Sequence, residues 1–304
     1  MNKNQLGGQA DFNSITIYDN KKHVTVLRNN DGSLLIKVKI QSKDRLYLLK
    51  RIFLIRGFVQ FINTMFTQLN SHSIQDINPT KKQLSSKIKR SLKFIYDSSA
   101  IITFFLIFIF IPTFIQFIPW FENQKLLFIL FEGATRIMIY LLLLELVSKL
   151  NNITYLLKYH AAEHMAINAY AKNKQLTVPA IRRGFQKNIR CGSTYFYILA
   201  IIYAIFFVLI YFIDSSLSYN IFLRLAALPI CSGITHEVIN IIDRYKENIN
   251  KKILSFFMIM QKKTLRYPDD HHLQVAITAI HIHQLKTIEK HYILNNFSEL
   301  KKIK

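Results

Sequence analysis

Between residues 158 and 170 the chain reads KYHAAEHMAINAY, in which His160, Glu163 and His164 follow the spacing H-x-x-E-H. A helix turns about 100° per residue, so these three side chains share one face, with Asn168 one turn further along it. Two imidazoles on one face are ligands for a divalent metal such as zinc, and a carboxylate beside them is a general base for water. A catalytic zinc site takes three protein ligands and keeps a position open. The stretch thus offers two metal ligands, His160 and His164, and a catalytic base, Glu163, and a third ligand must come from elsewhere. The competing reading of the same face is a polar seam, hydrogen-bonded into the neighbouring basic segment or against another helix.

The elements that would position this face are set by where the apolar residues lie. Of 304 residues 51% are hydrophobic, and they are gathered in blocks. Residues 99 to 118, SAIITFFLIFIFIPTFIQFI, form an uncharged run of the length that spans a hydrocarbon core. Residues 126–147, 194–213 and 221–242 are three further candidate spans, the first and last of them carrying charges. The expected fold is mainly α: a polytopic membrane helical bundle of about four transmembrane helices, with a small N-terminal β unit and amphipathic interfacial and cytosolic helices.

The formal net charge of +22 is distributed unevenly about those spans. Lys81, Lys82, Lys87, Lys89, Arg90 and Lys93 precede the first, and the 148–193 connection and the tail after 243 are also basic, whereas PWFENQK and DSSLSYN are poor in cations. By the positive-inside rule both termini and the middle connection face the cytosol, or an equivalent plastid stroma, in a bacterial inner membrane or an organelle membrane. The N-terminus MNKNQLGGQADF lacks the apolar core of a cleavable signal. Cys191 and Cys231 do not argue for a structural disulfide.

Alternating residues over 14–41, on either side of NNDG, predict an antiparallel β unit. Residues 46–69 are apolar with Lys50, Arg51 and Arg56 embedded, the pattern of a helix lying in the membrane surface. Residues 70–90 read as a connection, 246–266 as a basic amphipathic stretch and 271–294 as a second helix after Tyr267-Pro268. The expected domains are a β unit over 1–45, an interfacial helix and basic connection over 46–97, a membrane domain over 98–245 with the cytosolic loop 148–193, and C-terminal amphipathic helices over 246–304.

In their order, GGQA, LRNNDG, FEGATRIMIYL, YHAAEHMAINAY, RCGSTYF, PICSGITHEVI and LRYPDDHHLQVAITAI resemble the YqhQ-like family of predicted metal-dependent integral membrane proteins, a domain of unknown function. The resemblance covers most of the chain and implies a metal site on the His/Glu helix. The chain departs from the family pattern at Ala161, Met165 and Tyr267, and Asn188 stands where the family has a histidine, removing an imidazole. Glu237 leads the candidates for the third metal ligand, because it ends the fourth span on the basic side and matches an acidic family position. Cys191 and His236 follow, then Asp269 and Asp270.

Glu132 and Arg136, four apart in the second span, form an intramembrane ion pair that either lines a polar pathway or fixes helix packing. Arg224 is expected to snorkel to the headgroups. Arg190 beside Cys191 can activate a thiol, although a lone cysteine there also serves as a packing residue. Histidines 271, 272, 281 and 283 read as a solvated or interfacial face rather than a metal tract.

The basic clusters suit the lipid bilayer and its anionic lipid headgroups, with the ribosome an alternative polyanion. Two classes of function result. One is a metal-dependent, hydrolase-like membrane enzyme acting on a lipid-linked or membrane-embedded substrate. The other is a non-enzymatic scaffold or biogenesis and translocation factor that binds a membrane protein complex. A transporter is a third reading, in which a homo-oligomer supplies the missing spans.

Overall fold

The computed structural model describes residues 6–19, 21–40, 52–62, 114–121, 123–184, 186–213, 221–285 and 292–294, with isolated positions between 99 and 112. The chain divides into two compact units, one of Met1–Asp44, Glu145–Asn188 and Gln261–Lys304, the other of Arg45–Leu144 and Ile189–Met260. It is mainly helical, with one small antiparallel sheet.

The first unit is built on strands β1 (Gly7–Asp11), β2 (Ser14–Tyr18), β3 (Lys22–Arg28), β4 (Leu34–Ile40) and β5 (Tyr292–Leu294), paired antiparallel in that order. Period-two alternation places Ile15, Ile17, Val24, Val26, Leu34 and Ile36 in its core. Each such side chain contributes about 1.5–3 kcal/mol by leaving water. The turn between β3 and β4 closes through Asn29 N–H to the Ser33 carbonyl at 2.9 Å, and Gly32 takes the left-handed φ of 85° that favours glycine. The NNDG signal is therefore read by the fold as a hairpin.

The sheet core is shared with two helices of the same unit, Asn151–Ala171 and Asp270–Gln284. The helices are labelled in chain order α1 (Lys125–Ser148), α2 (Asn151–Ala171), α3 (Val178–Arg182), α4 (Gly192–Ile213), α5 (Ile221–Tyr245), α6 (Lys251–Phe257), α7 (Gln261–Thr264) and α8 (Asp270–Gln284). The alanines of α2 (161, 162, 166 and 169) are buried and keep the helix slim against the sheet. Helix α8 starts at a capping box, in which the Asp269 side chain accepts the third-residue N–H and His272 accepts the Asp269 N–H. At its other end Lys22 of β3 donates to the Leu285 carbonyl at 2.7 Å.

The fold departs from expectation at two places. Residues 271–294 are not one helix: α8 ends at Gln284, and Tyr292–Leu294 pairs with Leu34–Ile36 of β4. A triplet of aromatic and aliphatic residues pairs with a strand distant in sequence, a pairing that local periodicity cannot reveal. Residues 246–266 break into α6 and α7, because Asn250 caps α6 through the Lys252 N–H at 2.9 Å and the chain turns at 258–260. The GGQA stretch, read only as a family feature, is strand β1.

Among the described residues Lys125–Ser148 (in the second unit as far as Leu144), Gly192–Ile213 and Phe222–Tyr245 are long and apolar enough to cross a membrane, which points to an integral membrane protein. Large apolar side chains are exposed along them, including Met138, Leu142, Leu209, Phe212 and Phe222, as lipid-facing helices require. Of the expected first span, 99–118, nine positions between 100 and 113 lie outside the described residues, and Phe114–Phe117 at its end form a short 3-10 helix; most of the expected interfacial helix 46–69 also lies outside, and 55–62 of it are helical. A Cβ on Gly133 would lie 2.8 Å from the Ala204 Cβ, and one on Gly233 2.5 Å from the Leu54 carbonyl oxygen. Small residues thus let helices of this unit approach closely.

Candidate functional site

Helix α2 presents His160, Glu163 and His164 on one face, with the two imidazole centroids 4.4 Å apart. The Nδ1 of His160 lies 3.1 Å from the Thr264 carbonyl oxygen, and the Nδ1 of His164 lies 2.8 Å from that of Gln186. A carbonyl only accepts, so both Nδ1 atoms carry the proton and donate, and the lone pair of each ring sits on Nε2. Anchoring of the far nitrogen to a carbonyl is the arrangement that orients metal-ligating histidines. The Glu163 carboxylate reaches to 3.8 Å from the His164 Nε2 and is 4% exposed as a residue.

These side chains are held by backbone from three other segments of the first unit. Strand β1 crosses α2 so closely that a Cβ on Gly8 would fall 2.1 Å from the Glu163 Oε1. The segment 186–188 has its carbonyls taken in succession by side chains: Gln186 by His164, Lys187 by the Asn168 carboxamide at 3.0 Å, and Asn188 by Gln261. Gln261 also accepts the Asn188 N–H at 2.9 Å and is fully buried, so α7 and this irregular segment are strapped together. The side chain of Asn188, the position of the missing family imidazole, lies 3.5 Å from the Asn168 carboxamide oxygen. Beside the segment lies an open groove of ≈ 430 Å³ lined by Gly184, Gln186, Lys187, Gln261, Lys262 and Leu265. Two lysines and no carboxylate line it.

Gly8, Gln261 and the carbonyls of Gln186 and Thr264 were not singled out from the sequence. The GGQA resemblance marked the region of Gly8, but the carbonyls carry no side-chain signal.

The N-terminus of α8 brings ligand atoms of Asp269, His271 and His272 within 4.8 Å of one another. Asp269 is held by Lys158 at 2.8 Å, which lowers its carboxyl below the usual range, and Asp270 pairs with Arg182. The His272 Nδ1 accepts the Asp269 N–H at 3.3 Å, so its proton is on Nε2. That tautomer serves the helix cap rather than a metal. Burial first, then His271 and Lys158, push the His272 imidazole down to about 4, against an upward pull from Asp269. Its folded value lies below the ordinary 6.5, so the unfolded chain takes up the proton first as pH falls. Stability is therefore complete above pH 6.5 and is lost as pH falls through 6.5 toward 4, by up to about 3 kcal/mol. Thermal unfolding between pH 7 and 4.5 should show this slope, and His272→Gln should flatten it; an equal slope in the variant would exclude His272 as its source.

The remaining sequence candidates lie in the second unit. Glu237 of α5 accepts two hydrogen bonds from Arg56, each 2.5 Å, one on each carboxylate oxygen. Cys191 is buried with its Sγ 3.2 Å from the Ser193 hydroxyl, and Arg190 donates to Asp243 at 2.8 Å. Glu132 and Arg136 pair at 2.6 Å. Arg224 does not snorkel: it is 0% exposed and donates to both oxygens of Glu132, at 2.9 and 2.8 Å. A carboxylate four residues along α1 from Arg136 binds it more strongly than distant headgroups would, a partner on another helix that the reading of α5 alone did not supply.

The chain thus combines a His/Glu helix packed on a small antiparallel sheet with helices long and apolar enough to cross a membrane, the features of an integral membrane protein. The family model described as "Protein of unknown function (DUF1385)" matches residues 52–285, and the chain belongs to that family. It is 26% identical over 288 residues to "Uncharacterized protein YqhQ" of Bacillus subtilis (strain 168), covering 90% of each chain. No solved structure matches it.

Proposed function

We propose that this chain is a metal-dependent, hydrolase-like membrane enzyme whose centre is His160, His164 and Glu163 on the cytosolic or stromal side. The observation that carries the reading is the pair of Nδ1–H donations to the Thr264 and Gln186 carbonyls, which directs both ring lone pairs to Nε2. A donor set of two neutral imidazoles beside a carboxylate fits a divalent metal such as zinc. The Nε2 atoms of His160 and His164 would hold it, and bound there it would supply Lewis acidity. Glu163 is the group that accepts a proton from water, and its 4% exposure keeps bulk solvent from competing. The groove lysines, Lys187 and Lys262, suit an anionic substrate, which for this chain is a lipid-linked or membrane-embedded one.

Metal analysis of the full chain purified in detergent tests this. The wild type should carry close to one equivalent of metal, and the His160→Ala, His164→Ala double variant should lose at least nine-tenths of it with helicity retained. No stoichiometric metal in the wild type, or unchanged metal in the double variant, would overturn the reading.

The alternative is a non-enzymatic scaffold of a membrane protein complex, favoured by one observation: both oxygens of Glu237, the leading third ligand, are engaged by Arg56. Crosslinking in native membranes followed by purification decides it, since a chain recovered without stable protein partners counts against a scaffold.

A further inference from the structure

Within the second unit Glu132, Arg136 and Arg224 form a buried cluster of two guanidiniums on one carboxylate, with side chains at most 2% exposed. Glu132 and Arg136 alone would be neutral and already lie four apart on one helix. Arg224, arriving from α5, brings a second guanidinium to the same carboxylate. Its Nε and Nη2 are taken by Glu132, while its Nη1 is buried without a hydrogen-bond partner. Two rings of α4 receive the cations: Arg136 stands 4.6 Å over Tyr203, and Arg224 5.2 Å over Phe207. The Tyr203 hydroxyl donates to the Arg224 carbonyl at 2.6 Å, fixing α5 against α4 at this level. An apolar surrounding penalises an unused charged donor.

We propose that this cluster is a binding site for a phosphate-type oxyanion, carrying one negative charge and accepting from the Arg224 Nη1. Guanidinium is suited to it, because its planar donors match phosphate oxygens and leave one edge for Glu132 and another for the ligand. Glu132 lies seven residues inside α1, about 10 Å from its start, and Arg224 three residues inside α5. The site is therefore nearer the ends of the helices joined by the cation-poor connections. A phospholipid headgroup drawn in from that face, or free phosphate, would bring the same chemistry.

The test is thermal unfolding of the detergent-solubilised full chain at fixed ionic strength, titrated with phosphatidylglycerol in mixed micelles and, separately, with inorganic phosphate. The wild type should show a saturable stabilisation with one or both; response to phosphatidylglycerol alone assigns the lipid, and response to phosphate assigns the free anion. Arg224→Met leaves the neutral Glu132–Arg136 pair and should weaken binding at least tenfold. If that variant does not fold, Arg224→Lys, which keeps the charge and loses the planar donors, should weaken it several-fold. A wild type that responds to neither probe, or a folded variant that responds as the wild type does, overturns the proposal.

Discussion

Replacing Glu132 by alanine is expected to destabilise the protein by about 3–5 kcal/mol, the largest effect of any single substitution considered. The reason is an asymmetry in the cluster. Glu132 accepts hydrogen bonds from Arg136 at 2.6 Å and from Arg224 at 2.9 and 2.8 Å. Its removal leaves two guanidiniums facing each other inside the helices, both at most 1% exposed. The rings of Tyr203 and Phe207 offer cation–π attraction of about 0.5–2 kcal/mol each, too little to replace the carboxylate. Glu132→Gln should be milder, since the carboxamide oxygen still accepts. Denaturant unfolding in detergent measures both, and a loss under about 1 kcal/mol for alanine would show that the cluster does not hold α1 and α5 together.

Gly8→Ala should have the second largest consequence. The added methyl would sit 2.1 Å from the Glu163 Oε1 and 2.6 Å from its Cδ and Cγ. Glu163 is 4% exposed, so its carboxylate cannot simply swing into solvent. Either β1 lifts from α2 or the carboxylate leaves the neighbourhood of His164, and overpacking of this kind costs about 1–3 kcal/mol. Alanine is no worse than glycine in a strand, which isolates the contact as the cause. If the site holds a metal, loss of this support should lower metal affinity about 10–100-fold, the usual effect of disturbing groups that orient ligands. Chelator competition reads affinity and thermal unfolding reads stability. A variant unchanged in both would show that Gly8 does not position Glu163.

The two effects differ in kind. Gly8 acts on the first unit through shape, whereas Glu132 acts on the second through charge. A defect in metal content therefore points to the His/Glu face, with or without a lowered transition, and a lowered transition with normal metal content points to the arginine cluster.

Local pattern determined a good part of this protein. Alternation around NNDG specified β2, β3 and β4 and their turn, because side-chain period and turn chemistry are properties of adjacent residues. The apolar runs at 126–147, 194–213 and 221–242 emerge as α1, α4 and α5, since span length is a matter of composition. The shared face of His160, Glu163 and His164 follows from helical geometry. Tertiary structure alone decided the rest. The carbonyls that orient the imidazoles come from Thr264, 104 residues from His160, and Gln186, 22 from His164, and main-chain acceptors are the same at every position in a sequence. Depth and the family pattern put Glu237 forward as a metal ligand, and only the fold shows that Arg56, 181 residues away, donates to both its oxygens. Arg224 was assigned to the headgroups, and a carboxylate 92 residues away holds it inside. In each case the strength of a charge was legible, while its partner depended on which helices the packed chain brings together.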